Sequence, residues 1–183
     1  MNSRAYQAEI TANEWNETDA INFSHQTPRR LNAEQLMDAL TQATGVRPDF
    51  PEAPAESTAE AYVDPHVGRD GFLDLFGRPA RDSACECERK TDLALPQALN
   101  LVNGKTISDA IADPTGRIAK ASIAGVSDRT LLEELYLSTL SRQPTAVELD
   151  KGMTYLRGGD SRATRAQDLL WALVNSKAFL YNR

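Results

Sequence analysis

Cys85 and Cys87 lie in the densest run of reactive and charged side chains in this 183-residue chain. Residues 72–89 hold both cysteines, two of the five phenylalanines and seven charged residues. On an extended backbone the two thiols point to one face, with α-carbons roughly 6.5–7 Å apart, at the limit of disulfide reach. Three chemistries are open to them. They can be structural thiols, a strained and easily reduced redox pair, or two thiolate ligands completed by His66 or His25. A Cys-x-Cys pair without a second well-spaced pair is a weak zinc signal, so structural thiols are favoured and no metal is expected. The chain contains no Cys-x-x-Cys-His and therefore attaches no c-type haem itself.

Glu86 and Glu88 then face opposite to the thiols, near Arg78, Arg81 or Arg89. Paired carboxylates suit general acid and base work in an open pocket. They also suit a charge network in which arginine–carboxylate hydrogen bonds fix a buried turn, and that is the reading we favour. His66, between Asp64 and Asp70, can be a base oriented by a carboxylate. No serine or cysteine stands out as its nucleophile, so a surface histidine is favoured, and His25 reads the same way. Gly68 with Gly71, and Gly158-Gly159, lack the order of a phosphate cradle and read as helix punctuation. The motif of interest is therefore Arg78, Arg81, Cys85, Glu86, Cys87, Glu88 and Arg89, with catalytic residues unassigned and no cofactor expected in this chain.

The elements that must hold this motif read as helices. Asn32 with Gln35 forms a capping box, Leu31 and Leu36 a hydrophobic staple, and Leu36, Leu40 and Ala43 one apolar face ending at Gly45. Asp70 or Gly71 opens a short helix through Leu75, closed by Gly77 before Pro79. Pro96 suits a first helical turn, with Leu95, Ala98, Leu99 and Val102 as the buried stripe and Gly104 as the stop. Thr106 caps a helix carrying Ile107, Ala110 and Ile111, stopped by Pro114, and another runs from Arg117 to Ala124. Ser127 caps a helix with Leu131, Leu132, Leu135, Tyr136 and Leu140. A second capping box, Thr145 with Glu148, precedes Leu149, Met153 and Leu156. Asp160 or Ser161 starts a last helix with Ala166, Leu169, Leu170, core Trp171, Leu173 and Val174, ending near Phe179. No segment alternates long enough to make a convincing strand.

The expected architecture is all-α, an irregular multi-helix bundle. Residues 1–28 form an extended polar arm with Trp15, Ile21 and Phe23 as anchors onto the body. One helical domain covers 29–183, with a long Pro-rich loop over 46–68 and a three-helix subunit over 127–183. A net charge of −6 argues against a nucleic-acid surface, which needs clustered Lys and Arg. The imbalance is uneven: residues 151–183 carry six basic and two acidic side chains, which suits a helical face docking on something acidic. No window reaches the roughly 18 apolar residues of a membrane span, and the N-terminus has no apolar core of a signal peptide.

Several blocks resemble one known family. They are Arg29-Arg30-Leu31 with Ala33-Glu34-Gln35-Leu36 and Asp38-Ala39, Phe76-Gly77-Arg78-Pro79 with Arg81, and Cys85-Glu86-Cys87-Glu88-Arg89. Further on come Gln97-Ala98-Leu99 with Asn103-Gly104, Leu135-Tyr136-Leu137 with Leu140-Ser141-Arg142, and Asp168 to Leu173 with Asn175-Ser176 and Phe179-Leu180. In this order, from about Ser3 to Asn182, the chain is similar to the C-terminal part of the planctomycete PSD-type domain of unknown function. The resemblance implies a helical fold and a larger exported, extracytoplasmic parent. Such parents often carry cytochrome c-like segments, so haem c belongs only to a longer parent. Expected partners are the remaining N-terminal part of that parent or a cytochrome-like protein, and the chain itself through self-association. The expected role is a non-catalytic helical scaffold or interaction domain. The alternatives are part of a redox or metal-dependent enzyme module at Cys85 and Cys87, and a polysaccharide-binding module using the basic final segment.

Overall fold

Asn32 opens the first long helix, α1 (Ala33–Thr44), through a complete capping box. The Gln35 N–H donates to Asn32 Oδ1 (2.8 Å) and the Asn32 N–H donates to Gln35 Oε1 (3.3 Å). This is a computed structural model, and it describes residues 3–4, 7–19, 21–48, 54, 57–62, 71–79, 95–159 and 161–182. Within them the fold is mostly helical, as expected. The helices after α1 are α2 (Phe72–Leu75), α3 (Leu95–Asn103), α4 (Lys105–Ala112), α5 (Arg117–Ile123) and α6 (Asp128–Leu140). They are followed by α7 (Ala146–Leu156), α8 (Arg162–Val174) and α9 (Lys177–Leu180). Leu36, Met37, Leu40 and Ala43 bury one face of α1, which packs against α2, α4, α5, α6 and α8. Burying each of the larger side chains contributes about 1.5–3 kcal/mol. Ala166, Leu170, Leu173 and Val174 make α8 the second central helix, against α4, α5, α6 and α7.

Side-chain caps place several other boundaries. Ser127, Thr145, Ser161 and Ser176 each accept the backbone N–H three residues on. α6 and α7 close against each other at Gly152, where an added β-carbon would lie 2.9 Å from Leu132 Cδ2.

The fold departs from expectation in six places. First, α3 does not bury Ala98, Leu99 and Val102. Gln97 and Leu101 face inward, while Leu99 is 54% and Val102 47% exposed. The cause is the Gln97 amide, which accepts from Arg30 Nη1 (2.8 Å) and donates to the Leu75 carbonyl (2.7 Å). Satisfying a buried amide outweighs turning two moderate apolar side chains inward. Second, Gly104 caps α4 in place of Thr106. The Gly104 N–H still bonds the Asn100 carbonyl (2.6 Å), so α3 runs straight into α4 and leaves no loop for a threonine cap. Third, Trp171 is not core. It is 38% exposed and its ring N–H donates to the Val102 carbonyl (3.2 Å). Fourth, the last helix breaks at Asn175, and Ser176 caps the separate α9. Fifth, Trp15, Ile21 and Phe23 stand in solvent instead of anchoring the arm, because Asp19 gathers the surrounding N–H groups around itself. Sixth, two residues at each end of the body make strands β1 (Arg29–Arg30) and β2 (Tyr181–Asn182). They are antiparallel, with Arg29 opposite Asn182 and Arg30 opposite Tyr181. The Leu31 N–H extends this clasp to the Leu180 carbonyl (2.9 Å). Two residues are too few for alternation to register in the sequence.

Candidate functional site

The motif of interest enters the described structure at Arg78, and local backbone chemistry aims it. At the end of α2 the Gly77 N–H bonds the Asp74 carbonyl (3.1 Å) and the Arg78 N–H bonds the Leu73 carbonyl (2.9 Å). This pair of bonds is a Schellman motif, with Gly77 at φ 87° supplying the left-handed residue that it requires. The residue after that glycine turns back onto the helix, and here it is an arginine. Its side chain is 0% exposed. Arg78 Nη2 donates to the Tyr62 carbonyl, the guanidinium lies 6.0 Å from the Tyr62 ring centroid, and Nε is 3.8 Å from Glu34 Oε1. Glu34 is in the first turn of α1 and its side chain is 3% exposed, so its carboxylate also meets the positive end of that helix.

Gln97 braces the same turn from the other side. Its bond to the Leu75 carbonyl satisfies one of the backbone acceptors that a helix end leaves open. Through Arg30 it ties the turn to the β1–β2 clasp. The result is a buried polar lock joining α1, α2, α3 and β1. A guanidinium has donors and no acceptor, and this one is sealed from solvent, so its donors serve the groups packed around it.

The other members of the motif, Arg81, Cys85, Glu86, Cys87, Glu88 and Arg89, lie outside the described residues, as does His66. His25 is described. Its Nδ1 is buried without a hydrogen-bond partner among the described residues, and those residues hold no cluster of three His, Cys, Asp or Glu side chains. Glu34 and Gln97 fall in blocks that carry the family resemblance, but nothing in the sequence marks them, or Tyr62, as members of this lock. The capping box that frames Glu34 was visible there. Its pairing with Arg78, 44 positions away, carries no local signal.

Two adjoining clefts of about 510 and 520 Å³ surround the C-terminal end of α1 and share Thr41, Gly45, Arg47 and Pro48. Several of their polar groups are engaged in structure. Thr41 and Thr44 donate to the Met37 and Leu40 carbonyls (3.0 and 2.8 Å). Arg117 donates to the Gln42 and Ala43 carbonyls (2.7 and 3.0 Å), a cation closing the negative end of α1. Asp113 accepts from the N–H and hydroxyl of Thr115 (2.7 and 2.6 Å).

Groups with displaced pKa values, the usual mark of a working site, lie elsewhere, around the α6–α7 connection and in the 19–24 turn. Glu148 is held down to about 2, chiefly by the two-pronged Arg142 bond (2.7 and 2.8 Å) and then by the Thr145 N–H. Arg142 is raised in return by Glu148, and burial raises Tyr136, whose ring lies 5.4 Å from the Arg142 guanidinium. Asp19 is lowered well below the usual carboxylate range by the Ser24 hydroxyl and by the Asn22 and Ile21 N–H groups. Hydrogen bonds set the Glu148, Arg142 and Asp19 shifts and burial sets that of Tyr136; Arg142 also lines a cleft of about 340 Å³ with Ser141 and Tyr181.

Among the described residues no helix is long and apolar enough to cross a membrane. No curated protein and no solved structure matches the chain. A family model described as PSD1, protein of unknown function (DUF1553), matches residues 1–156, and the chain belongs to that family.

Proposed function

We propose that this chain is a non-catalytic helical scaffold and interaction domain of a larger exported bacterial protein. The observation that carries the reading is the engagement of the buried polar side chains around Arg78. Arg78, Glu34 and Gln97 bond one another's elements and backbone carbonyls and are closed to solvent. An active site keeps such groups poised at a reachable surface. The family resemblance supports the exported parent, with its N-terminal part or a cytochrome-like protein as neighbour and any haem carried there.

The competing reading places a metal or redox centre at Cys85 and Cys87. Elemental analysis of the purified chain, with thiol titration before and after denaturation, separates the two. The scaffold reading expects no stoichiometric metal, and the same result for Cys85→Ser and Cys87→Ser. About one equivalent of bound metal, lost in either variant, would overturn it. Fractionation of cells producing the full parent tests export, and a cytoplasmic parent would remove that part of the reading.

A further inference from the structure

The loop over residues 13–24 binds its own polar groups and offers its large apolar ones to water. Asn16 Nδ2 donates to the Ser24 carbonyl (3.3 Å), so Trp15 and Phe23 rise from neighbouring stretches of backbone. Asp19 accepts the N–H groups of Ile21 (3.1 Å), Asn22 (2.8 Å) and Ser24 (3.1 Å). Trp15, Ile21 and Phe23 nevertheless stand 93%, 81% and 70% exposed. Phe23 also holds φ 54°, a left-handed conformation that is costly for an aromatic residue. Aromatic anchors held in place beforehand lower the ordering cost of association and are the residues that dominate interfaces. Residues 8–28 contain four acidic side chains and no Lys or Arg, and Glu9, Glu14 and Glu17 are exposed.

On α7 and α8 the basic side chains Lys151, Arg157 and Arg165 outnumber Asp150 and Asp168, the latter accepting from the Tyr155 hydroxyl (2.8 Å), while Glu148 is tied to Arg142. Val147, Lys151 and Tyr155 recur every fourth residue along one exposed stripe, about 12 Å long at helical rise. Arg157 is exposed beyond its end. The Arg165 guanidinium of α8 lies 4.8 Å from the Tyr155 ring centroid, widening an apolar and cationic face. Glu14, Glu17, Lys151 and Arg157 form no ion pair among the described residues.

We infer that the 13–24 loop of one copy docks on the α7–α8 face of a second copy, its aromatic anchors against the Val147–Tyr155 stripe and its carboxylates against Lys151 and Arg157. The inference rests on the interaction-domain reading and names a second copy of this chain as the partner. Two different surfaces meet, so association runs head to tail and continues past a dimer. Paired exposed charges make it weaken as salt rises.

Multi-angle light scattering of the full chain over a concentration series tests this. The mass should climb past that of a dimer at low salt and fall at about 0.5 M salt. Trp15→Ala with Ile21→Ala should weaken association by at least about tenfold. Glu14→Lys/Glu17→Lys and Lys151→Glu/Arg157→Glu should each be monomeric alone, and their equimolar mixture should associate again, because each reversed surface then meets its complement. All of these sites are on the surface, and circular dichroism confirms that each variant keeps its helices. A chain that is monomeric throughout, or an assembly that survives both charge reversals, overturns the inference. The loop's occupant is then the chain's own body or a different protein. The metal and thiol measurements decide the scaffold reading separately from either outcome.

Discussion

Replacing Arg78 by Met tests the buried lock most directly. The side chain it removes is 0% exposed, 3.8 Å from a carboxylate that is itself 3% exposed. At that distance the gross attraction is about 4 kcal/mol for an effective dielectric of about 20. Most of it is offset by the cost of taking both charges out of water, so the intact pair adds little net stability. Breaking it is a different matter, because the Glu34 carboxylate then stays buried without that guanidinium. The expected loss is about 3–5 kcal/mol, including the bond to the Tyr62 carbonyl. Glu34→Leu alone should cost a similar amount for the mirror reason. The double variant Arg78→Met/Glu34→Leu should be less destabilised than the two losses added, by about 1–3 kcal/mol, since neither charge is left behind. Urea unfolding followed by far-ultraviolet circular dichroism at pH 7 measures all three. A single-variant loss below about 1 kcal/mol, or a double variant additive within about 0.5 kcal/mol, would refute the reasoning.

Three further outcomes are expected. Gly152→Val places a branched side chain where an added β-carbon already lies 2.9 Å from Leu132 Cδ2, and should lower stability by about 1–3 kcal/mol in the same urea assay. Asn32→Ala removes the side-chain acceptor of the α1 capping box, the partner of the Gln35 N–H, and should cost about 1 kcal/mol, read as a lower thermal midpoint. Glu148 has a depressed pKa in the folded chain, so its stabilisation is present above its ordinary 4.5 and is lost as pH falls toward about 2. Unfolding midpoints should drop across that window, and Glu148→Gln should flatten the drop.

Much of the helical framework is legible because caps act over three residues. Asn32 with Gln35 and Thr145 with Glu148 close their boxes where the pattern places them, and Ser127 and Ser161 start their helices likewise. The Gly77 turn is equally local, since a left-handed residue there completes two short-range bonds. Apolar stripes succeed where the helix is central, as in α1 and α8, and fail in α3, which touches the body along one edge. There a single glutamine amide, matched to Arg30 and Leu75, chose the buried face.

Residue types and spacing along the chain therefore determined where most helices begin, which faces of the central ones are apolar, and which glycine turns Arg78 inward. Only the tertiary structure decided what that arginine meets, that Trp171 caps an edge instead of filling the core, and that β1 and β2 clasp across the whole body. The physical reason is range. A cap or a helical stripe is satisfied by neighbours within a few residues, whereas a buried charge or amide is satisfied by whatever partner the packed fold brings to it from far along the chain.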